Sequence, residues 1–492
     1  KRDILRTWAL WVRGLMLALL SVSLVALFTQ YAYAQVVRFA KTYGGTSPEW
    51  AHSVQQTSDG GYIVAGRIMS FGAGDYDIFL IKTDANGNVQ WAKTYGGTSK
   101  DIAHSVRQTS DGGYIVAGYT ESFGAGGRDL FLIKTDADGN LEWAKTYGGI
   151  HWDEARSVQE ISGGGYIVAG YLRLQNASWN GEFILIRTDA NGNVIWAKTY
   201  GGLGWDEAYS VQQTSDGGYI MAGLTAAFAV GYDVLLIKTN SDGNLEWAKT
   251  YGIAHYDWAF SVQQTSDGGY IVAGYPESSG ANTRDVVLVK TYANGDLEWA
   301  KIYGGTDWDE ARSVQEISGG GYIVAGYTRS FGAGGGDLFL IKTDEYGNLQ
   351  WAKTYGGGSY DHAFSVRQTS DGGYIVAGQT NSFGAGSSDI FLIKTDANGN
   401  ISSSCGIVQN VIPTVYTVSP TVNTHYPTVL SVSPTVNSLY PTITSPTLTV
   451  NAPCPLSDDN ELGISESCKP VSGLITPYKG GIKVSGSGEF EV

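Results

Sequence analysis

A heptapeptide repeated at nearly constant spacing constrains this chain more than any other feature. WAKTYGG or a close variant begins at Trp91, Trp143, Trp196, Trp247, Trp299 and Trp351, and FAKTYGG begins at Phe39. Consecutive copies are separated by 52, 52, 53, 51, 52 and 52 residues. A period of this length is typical of architectures in which each repeat is one supersecondary unit. The fold must therefore accommodate seven similar units.

Each unit contains four strand candidates separated by turn signals. Around the copy at Trp91, SVRQT and LEWAKTY alternate in polarity, whereas GYIVAGYT and DLFLIKTD are almost continuously apolar. Continuous apolar runs are typical of strands that are covered on both faces. The sequences SDGG and DANGN or DADGN supply the residues that tight hairpin turns require. The unit thus predicts a four-stranded antiparallel sheet.

The array starts with a lone fourth strand and ends without one. The segment near Val36 has no preceding partners, and the three strands of Ser365–Asp396 have no WAKTYGG after them. Pairing of these two segments completes a seventh blade and removes open sheet edges. We predict an all-β, seven-bladed β-propeller of four-stranded antiparallel blades, closed by an N-terminal strand. An open solenoid is the alternative, but it gives no reason for the half-repeat offset.

The repeats resemble a bacterial and archaeal β-propeller repeat family. Its signature is an aromatic-rich strand, Gly-Gly, an acidic loop and then a strand-turn-strand of the form DGGYIVAG, and the resemblance covers residues 36–400. The resemblance implies a propeller that is exported or displayed at the surface.

Residues 1–34 have the pattern of a signal peptide. Basic residues at the start precede an apolar run from Gly14 to Phe28, and Ala32-Tyr33-Ala34 supplies a small-x-small cleavage pattern. These features predict a mature chain that begins at Gln35, with the propeller at 35–401. An uncleaved membrane anchor is the alternative, although the apolar run is short for a span. We expect an extracytoplasmic protein, either secreted or at the cell surface.

The region after the repeats differs in composition. Residues 402–457 contain no Lys, Arg, Asp or Glu, and proline recurs every seven residues from Pro413 to Pro441. This pattern predicts an extended, polyproline-like linker or stalk. A β-rich stretch is the alternative, because Val, Thr and Tyr are frequent. Residues 458–492 regain charge and are interpreted as a short C-terminal segment that could begin another domain.

Two covalent modifications are suggested by the sequence. Cys454 and Cys468 could form a disulfide in an exported protein. Asn176 begins a glycosylation sequon in a loop that departs from the SFGAG consensus. Loops 226–231 and 277–283 also depart from it, so blades 3 to 5 are the predicted specialised sector.

The charge balance bears on the class of partner. The formal net charge is −15, and the whole excess lies on residues 35–401. This argues against nucleic acid, because phosphates would meet a surface of their own sign. We expect a glycan or a surface protein as the partner. Membrane attachment is expected only through an uncleaved signal or a C-terminal anchor outside this sequence.

One connection in every unit combines an acidic residue with aromatic neighbours. It joins the fourth strand of one blade to the first strand of the next, on the face that rims the channel. The acidic position is Glu49, Asp101, Asp153, Asp206, Asp257, Asp309 and Asp361 in the seven copies. Trp and Tyr beside carboxylates suit sugar rings, which stack on flat apolar faces. The predicted ligand-binding residues are Trp152, Asp153, Trp205, Asp206, Tyr256, Asp257, Trp258, Trp308, Asp309, Tyr360 and Asp361.

These residues also have a simpler explanation. The acids could cap their own loops by accepting main-chain N–H groups, as could the acids that open the third strands, from Asp77 to Asp389. The aromatic rings could pack beneath neighbouring loops. Two acidic rings on one face could also hold Ca²⁺ between loops. No other metal or cofactor is expected.

Three functions remain open from the sequence. No nucleophile elbow, phosphate loop or Cys–His arrangement is present. We therefore favour a non-catalytic binding, adhesion or envelope scaffold module, which predicts exposed aromatic rings around one cleft. An extracellular carbohydrate hydrolase or lyase predicts two carboxylates that face one pocket. A structural spacer predicts an almost symmetric face with its rings buried.

Overall fold

The structure, a computed structural model, describes residues 37–401 apart from 174–180, 229–230 and 278–283. It also describes residues 407–412 and the backbone of eight later strands. The chain divides into two compact units, Lys1–Val37 and Arg38–Val492. Within the described residues, no helix is long and apolar enough to cross a bilayer.

Several sequence predictions fall outside the described residues. The predicted signal peptide at 1–34, the sequon at Asn176 and Cys468 all do, and only the backbone of Cys454 is described. Export, glycosylation and the disulfide therefore stay predictions.

The ring in the described part of the chain is built from strands β1 to β28, four to a blade. Their bounds in chain order are Phe39–Gly44, Glu49–Gln56, Tyr62–Ile68, Asp77–Thr83, Val89–Gly96, Asp101–Gln108, Tyr114–Thr120, Asp129–Thr135, Leu141–Gly148, Asp153–Glu160, Tyr166–Arg173, Gly181–Thr188, Val194–Gly201, Asp206–Gln213, Tyr219–Thr225, Asp233–Thr239, Leu245–Gly252, Tyr256–Gln264, Tyr270–Glu277, Val286–Thr291, Leu297–Gly304, Asp309–Glu316, Tyr322–Thr328, Asp337–Thr343, Leu349–Tyr355, Asp361–Gln368, Tyr374–Thr380 and Asp389–Thr395. Blades 1 to 6 are β2–β5, β6–β9, β10–β13, β14–β17, β18–β21 and β22–β25. The seven-bladed propeller predicted from the repeats is confirmed.

Blade 7 combines the two ends of the repeat region. Its first three strands are β26 to β28, and its fourth is β1. β1 and β28 pair antiparallel from Phe39 opposite Lys394 to Tyr43 opposite Ile390. The half-repeat offset therefore closes the ring.

The hydrophobic core lies between blades and explains the continuous apolar strands. In β7, Ile115 packs into the cluster shared with blade 3, whereas Val116 packs into the one shared with blade 1. Successive side chains of a strand point to opposite faces, so one strand serves two interfaces. Trp91 of blade 1 packs edge-on against Tyr114 of blade 2, with ring centroids 5.8 Å apart.

The tyrosine of each WAKTYGG copy connects its blade to the next one. Its buried hydroxyl donates a hydrogen bond of 2.6–2.7 Å to the glycine carbonyl of the next blade's third-to-fourth turn. The pairs are Tyr43–Gly87, Tyr95–Gly139, Tyr147–Gly192, Tyr200–Gly243, Tyr251–Gly295, Tyr303–Gly347 and Tyr355–Gly399. All seven blade interfaces thus carry the same polar link.

The turn residues behave as the sequence predicts. In the turn of blade 2, Asp136 Oδ1 accepts the N–H groups of Asp138 and Asn140 at 2.9 and 2.7 Å. Gly139 has a φ of +71°, and a Cβ there would lie 2.9 Å from the Trp91 ring. Glycine is required at this position both by the backbone conformation and by the approach of the neighbouring blade.

The C-terminal region adds a fifth strand to every blade. Strands β29 to β35 pair antiparallel with the fourth strands, in the reverse of the chain order of the blades. Their bounds are Val408–Val411, Thr414–Val418, Thr421–His425, Thr428–Ser431, Thr435–Ser438, Thr442–Thr444 and Thr449–Cys454. β36 (Ser472–Tyr478) then pairs with β35 and with β37 (Gly481–Ser485).

This tail keeps one register with the whole ring. Positions seven residues apart in the tail each lie opposite the tyrosine of one WAKTYGG copy. The pairs are Val408–Tyr355, Val415–Tyr303, Val422–Tyr251, Val429–Tyr200, Val436–Tyr147, Ile443–Tyr95 and Val450–Tyr43. One heptad of the tail therefore corresponds to one blade.

The described parts of the tail differ from the free stalk predicted for residues 402–457. They are β-structure, as in the alternative interpretation. The outer edge of each fourth strand offers unpaired N–H and C=O groups, and Val and Thr are suited to pairing with it. Neighbouring strands twist by about 20–25° relative to each other, and four such steps bring the fifth strand to roughly a right angle to the first. The fifth strand therefore leads on to the next blade.

Candidate functional site

The acidic ring predicted from the sequence is a set of loop caps. Each of the seven carboxylates is at most 1% exposed and accepts a main-chain N–H four residues earlier, at 2.7–3.2 Å. The donor–acceptor pairs are Gly45–Glu49, Gly97–Asp101, Gly149–Asp153, Gly202–Asp206, Ile253–Asp257, Gly305–Asp309 and Gly357–Asp361. The capping interpretation is confirmed, and these carboxylates are too buried to meet a ligand.

Where the preceding loop is fully described, the acids that open the third strands act in the same way. Asp77 accepts the N–H groups of Ala73 and Gly74 at 2.9 and 3.1 Å. Burial, together with the nearby charge of Asp101, raises the pKa of Asp77 to about 6. The glycine between them, Gly96, has no room for a Cβ, which would lie 1.9 Å from Asp77 Oδ1.

The aromatic residues predicted to bind ligand are spread around the upper face, which carries the fourth-to-first connections. Trp152 and Tyr360 are 47% and 46% exposed, whereas Trp205, Tyr256 and Trp308 are half-buried. Arginines cover several of these rings. The guanidinium of Arg128 lies 4.7 Å from the centroid of Trp152, and that of Arg284 lies 4.5 Å from Trp308.

These rim residues do not share one cleft. None of the eleven predicted residues lines the cavity of about 370 Å³ at the upper end of the channel. Two of them contact residues that do line it: the Trp258 ring stacks on Phe260 with centroids 6.0 Å apart, and the Trp152 ring lies 4.7 Å from the guanidinium of Arg128. The predicted residues therefore lie outside this cavity, and their role in ligand binding stays a prediction.

The cavity is formed instead by a position three residues further along each first strand. We call these seven residues the planar collar: His52, His104, Arg156, Tyr209, Phe260, Arg312 and Phe364. Alanine precedes and serine follows each of them in every blade. The strand pairing shifts register at this position in all seven blades, between the alanine and the serine, so this side chain lines the channel while the alanine packs between blades. The repeat thus keeps its scaffold constant and varies the residue at the mouth.

Every collar side chain ends in a planar group, and most neighbours around the ring touch. His52 stacks on His104 at 5.3 Å, and Arg156 Nη1 lies 2.9 Å from His104 Nε2. On the other side Tyr209 meets Phe260 at 4.8 Å.

Three further contacts continue the ring. The guanidinium of Arg156 lies 5.4 Å from the Tyr209 ring, and that of Arg312 lies 4.1 Å from the Phe260 ring. Phe364 packs edge-on to His52 with centroids 5.3 Å apart. The collar therefore offers flat faces and guanidinium groups around one opening.

The single carboxylate in the described lining is locked in ion pairs. Glu154 accepts from Arg128 at 2.6 Å and lies 3.0 Å from Arg156, whose guanidinium also contacts Glu207 at 2.8 Å. Burial works to raise the pKa of Glu154, but Arg156, His104 and Arg128 lower it, and the result lies well below its usual range. Glu154 is thus a fixed anion that holds two arginines at the mouth.

Arg67 differs from the other arginines of the cavity. Among the described residues it has no carboxylate partner, and its Nε, like that of Arg312, is buried without a hydrogen-bond acceptor. Its guanidinium lies 3.5 Å from the Trp50 ring centroid and 4.8 Å from that of Tyr76. Four other blades carry tyrosine at this position: Tyr119, Tyr171, Tyr275 and Tyr327. Blade 1 therefore places an unpaired cation where the repeat has a phenol.

The imidazoles of the upper mouth are neutral. Burial lowers the pKa of His104 to about 4 and that of His362 to about 3, with nearby arginines contributing in the same direction. The positive charge of the mouth therefore belongs to arginines at neutral pH.

A metal site is not evident within the part of the chain that the structure describes. There, no group of three or more His, Cys, Asp or Glu side chains is arranged to hold an ion.

Sequence reasoning overlooked the collar because it searched for shared residues. The collar position has the opposite pattern. Its residue differs between the units, whereas the alanine before it and the serine after it are the same in all seven units. Repeats keep what folding needs, so a variable position beside the axis marks where the units have specialised.

Comparison with known proteins supports a propeller repeat. The family model described as "Domain of unknown function (DUF5122) beta-propeller" matches residues 109–142. The chain is also similar to "Regulatory protein FlaEY" of Caulobacter vibrioides, with 26% identity over 141 residues. That match covers 24% of this chain and only 15% of the relative's length.

Two solved structures also match. Sqt1 from Chaetomium thermophilum has a TM-score of 0.43 and 11% identity, covering 72% of this chain and 98% of that one. The same protein bound to the N-terminus of the ribosomal protein L10 has a TM-score of 0.41, with the same identity and coverage.

Proposed function

We propose that this chain is an exported or surface-displayed binding module whose ligand is an acidic glycan held at the upper mouth. The observation that carries the proposal is the combination of the planar collar with the unpaired guanidinium of Arg67. Sugar rings stack on flat faces, and a carboxylate or sulfate substituent forms charge-assisted hydrogen bonds with arginine.

The position of Arg67 supports an anionic ligand. Its stacking on Trp50 leaves the guanidinium edge as the donor, and its buried Nε has no acceptor among the described residues. A buried donor without an acceptor costs about 1–3 kcal/mol. A ligand carboxylate would form charge-assisted hydrogen bonds with the Arg67 guanidinium, whereas a neutral sugar would compensate its charge less well.

The asymmetry of the mouth favours binding over a purely structural spacer. A spacer has no need to vary one axial position while its neighbours stay constant. The exposure of Trp152 and Tyr360 also argues against a spacer, for which the rings were expected to be buried.

The locked state of Glu154 favours binding over hydrolysis. A general acid must carry a proton near neutral pH, whereas two arginines hold Glu154 ionised. Its geometry suits an anchor for Arg128 and Arg156 rather than a proton donor.

A glycan array tests the proposal. The full chain is applied to matched neutral and acidic oligosaccharides, together with F260A, which removes one collar face, and Y346A as control. Tyr346 is 62% exposed in a turn on the opposite face. We expect acidic glycans to be retained by the wild type and by Y346A, and lost by F260A.

Retention that is equal for neutral and acidic glycans, or unchanged in F260A, would contradict the proposal. If the chain retains no glycan but retains a surface protein instead, a protein ligand would be favoured. Thermal unfolding of F260A shows whether the variant has kept its fold.

A further inference from the structure

The lower part of the axial channel contains a second cavity of about 540 Å³. It is lined by all seven first strands, near the hairpin turns that join first and second strands. The position that faces it is glutamine in five blades and arginine in two, Arg107 and Arg367.

The five glutamines connect neighbouring blades. The Oε1 of each accepts the main-chain N–H of the next blade's first strand at 2.6–2.9 Å. The acceptors are Gln55, Gln159, Gln212, Gln263 and Gln315. Since Oε1 makes this bond, the NH₂ groups are left as donors for the channel.

Arg107 and Arg367 cannot accept this hydrogen bond from the next blade, because a guanidinium has no acceptor atom. Arg107 Nη1 lies 3.4 Å from the carbonyl oxygen of Val106, and Arg367 Nη1 donates to that of Val366 at 2.8 Å. These two contacts lie within their own strands, and Arg367 Nη1 also lies 3.3 Å from Ser313 Oγ of blade 6. Folding therefore gains less from arginine than from glutamine at this position.

The two guanidinium groups also bring uncompensated charge into a narrow space. Burial, together with the nearby charge of Arg107, lowers the pKa of Arg367 to about 9. Among the described lining residues the one carboxylate is Glu160, which accepts from Ser110 N at 2.7 Å and from Ser110 Oγ at 2.8 Å. Neither arginine has a carboxylate partner in the described structure.

We propose that Arg107 and Arg367, with the amide groups of the neighbouring glutamines, form a binding site in the channel for a small oxyanion of the phosphate class. Two planar guanidinium groups in one cavity can donate hydrogen bonds to a tetrahedral oxyanion, which accepts several hydrogen bonds at once. The anion offsets the repulsion between the guanidinium groups of Arg107 in blade 2 and Arg367 in blade 7. This site is separate from the upper mouth and does not depend on the glycan proposal.

Calorimetric titration of the full chain with inorganic phosphate tests the site, with chloride at equal ionic strength as the reference. The double variant R107Q/R367Q restores the residue found in the other five blades, so it should fold. We expect it to bind phosphate at least about tenfold more weakly, since each charge-assisted bond contributes roughly 1.5–3 kcal/mol. Its melting temperature without phosphate should exceed that of the wild type.

Two controls locate the effect. K100Q removes a surface charge, and R67Y removes the unpaired arginine of the upper mouth; both should retain wild-type phosphate affinity. Equal phosphate binding by the wild type and R107Q/R367Q, or no binding by the wild type, would overturn the channel site. Loss of phosphate binding in R67Y alone would assign the anion to the upper mouth instead. The double variant should bind acidic glycans as the wild type does, which separates the two proposals.

Discussion

The hydroxyl of Tyr43 donates a 2.6 Å hydrogen bond to the carbonyl of Gly87, so the strand nearest the N-terminus is attached to the blade that follows it. Tyr43 is fully buried, and its strand also supplies the fourth strand of blade 7. This one residue therefore connects the two ends of the repeat region to blade 1.

Replacing Tyr43 with phenylalanine should weaken ring closure. Y43F keeps the ring and its packing but leaves the Gly87 carbonyl without its buried donor. We expect the free energy of unfolding to fall by about 1–2 kcal/mol, measured from urea denaturation. Y346F, at an exposed turn, serves as the control and should be unchanged. An unchanged value for Y43F would mean that water replaces the bond.

Removing the tail should destabilise the ring and promote self-association. A chain that ends at Ile401 lacks strands β29 to β35 and exposes the outer edge of all seven fourth strands. Exposed edges are templates for pairing with other chains. We expect a lower melting temperature and a shift to larger species in size-exclusion chromatography. A chain that ends at Cys454 retains the fifth strands and should resemble the full chain; equal behaviour of both truncations would count against the role of the tail.

The stability of the ring should fall as the pH rises from about 5 to 8. Burial raises the pKa of Asp77 and Asp153 to about 6 and that of Glu49 to about 7. At these three carboxyl groups the folded chain therefore holds more protons than the unfolded chain between pH about 4 and 7, and their contribution to stability decreases as they ionise; the lowered pKa values of His104 and His362 act in the opposite direction below about pH 6.5. We expect a higher melting temperature at pH 5 than at pH 8.

The variant D77N should reduce this pH dependence. Its amide oxygen can still accept from Ala73, but the side chain no longer ionises. The difference in melting temperature between pH 5 and pH 8 should shrink in D77N and stay constant in D138N, an exposed turn variant. An equal difference in all three proteins would show that the buried carboxylates do not control it.

Neutralising Glu154 should lower the stability of the chain and raise its affinity for acidic oligosaccharides. E154Q leaves Arg128 without one of its two carboxylate partners and weakens the hold on Arg156. Breaking a buried ion pair typically costs about 3–5 kcal/mol. We expect a lower urea midpoint together with tighter binding of acidic oligosaccharides, because the mouth becomes more positive. Weaker binding by a folded E154Q would show that the position of the arginines matters more than their charge.

The architecture of the ring was predictable because it depends on features that every unit shares. The 52-residue period, the turn sequences and the unpaired fourth strand at Phe39 each follow from local rules of strand and turn formation. The loop-capping role of the acidic ring was also predictable, since Asp101 and its equivalents recur without exception.

The tail was predicted less well, because its pattern had to be compared with the ring. β-branched residues recur at seven-residue intervals from Val408 to Val450, and this series has as many members as the ring has blades. Each proline of the heptad series from 413 to 441 precedes a strand, where its missing N–H does not interrupt pairing. Composition alone favoured a stalk.

The candidate site was predicted least well, because it depends on differences between units. Trp152 and Asp153 are predicted as site residues because their positions are aromatic or acidic in most copies of the repeat. Arg67, Arg107 and Arg367 are departures from a repeat, and their meaning depends on which side chains face the axis. That information comes from strand register and not from composition.

Calorimetric titration with a short galacturonate oligomer and its neutral galactose counterpart tests the central claim most directly. The full chain should bind the acidic oligomer and not the neutral one, and R67Y should bind it at least about tenfold more weakly, as expected for the loss of one charge-assisted bond. Equal affinity of the wild type for both oligomers, or undiminished binding of the acidic oligomer by R67Y, would contradict it.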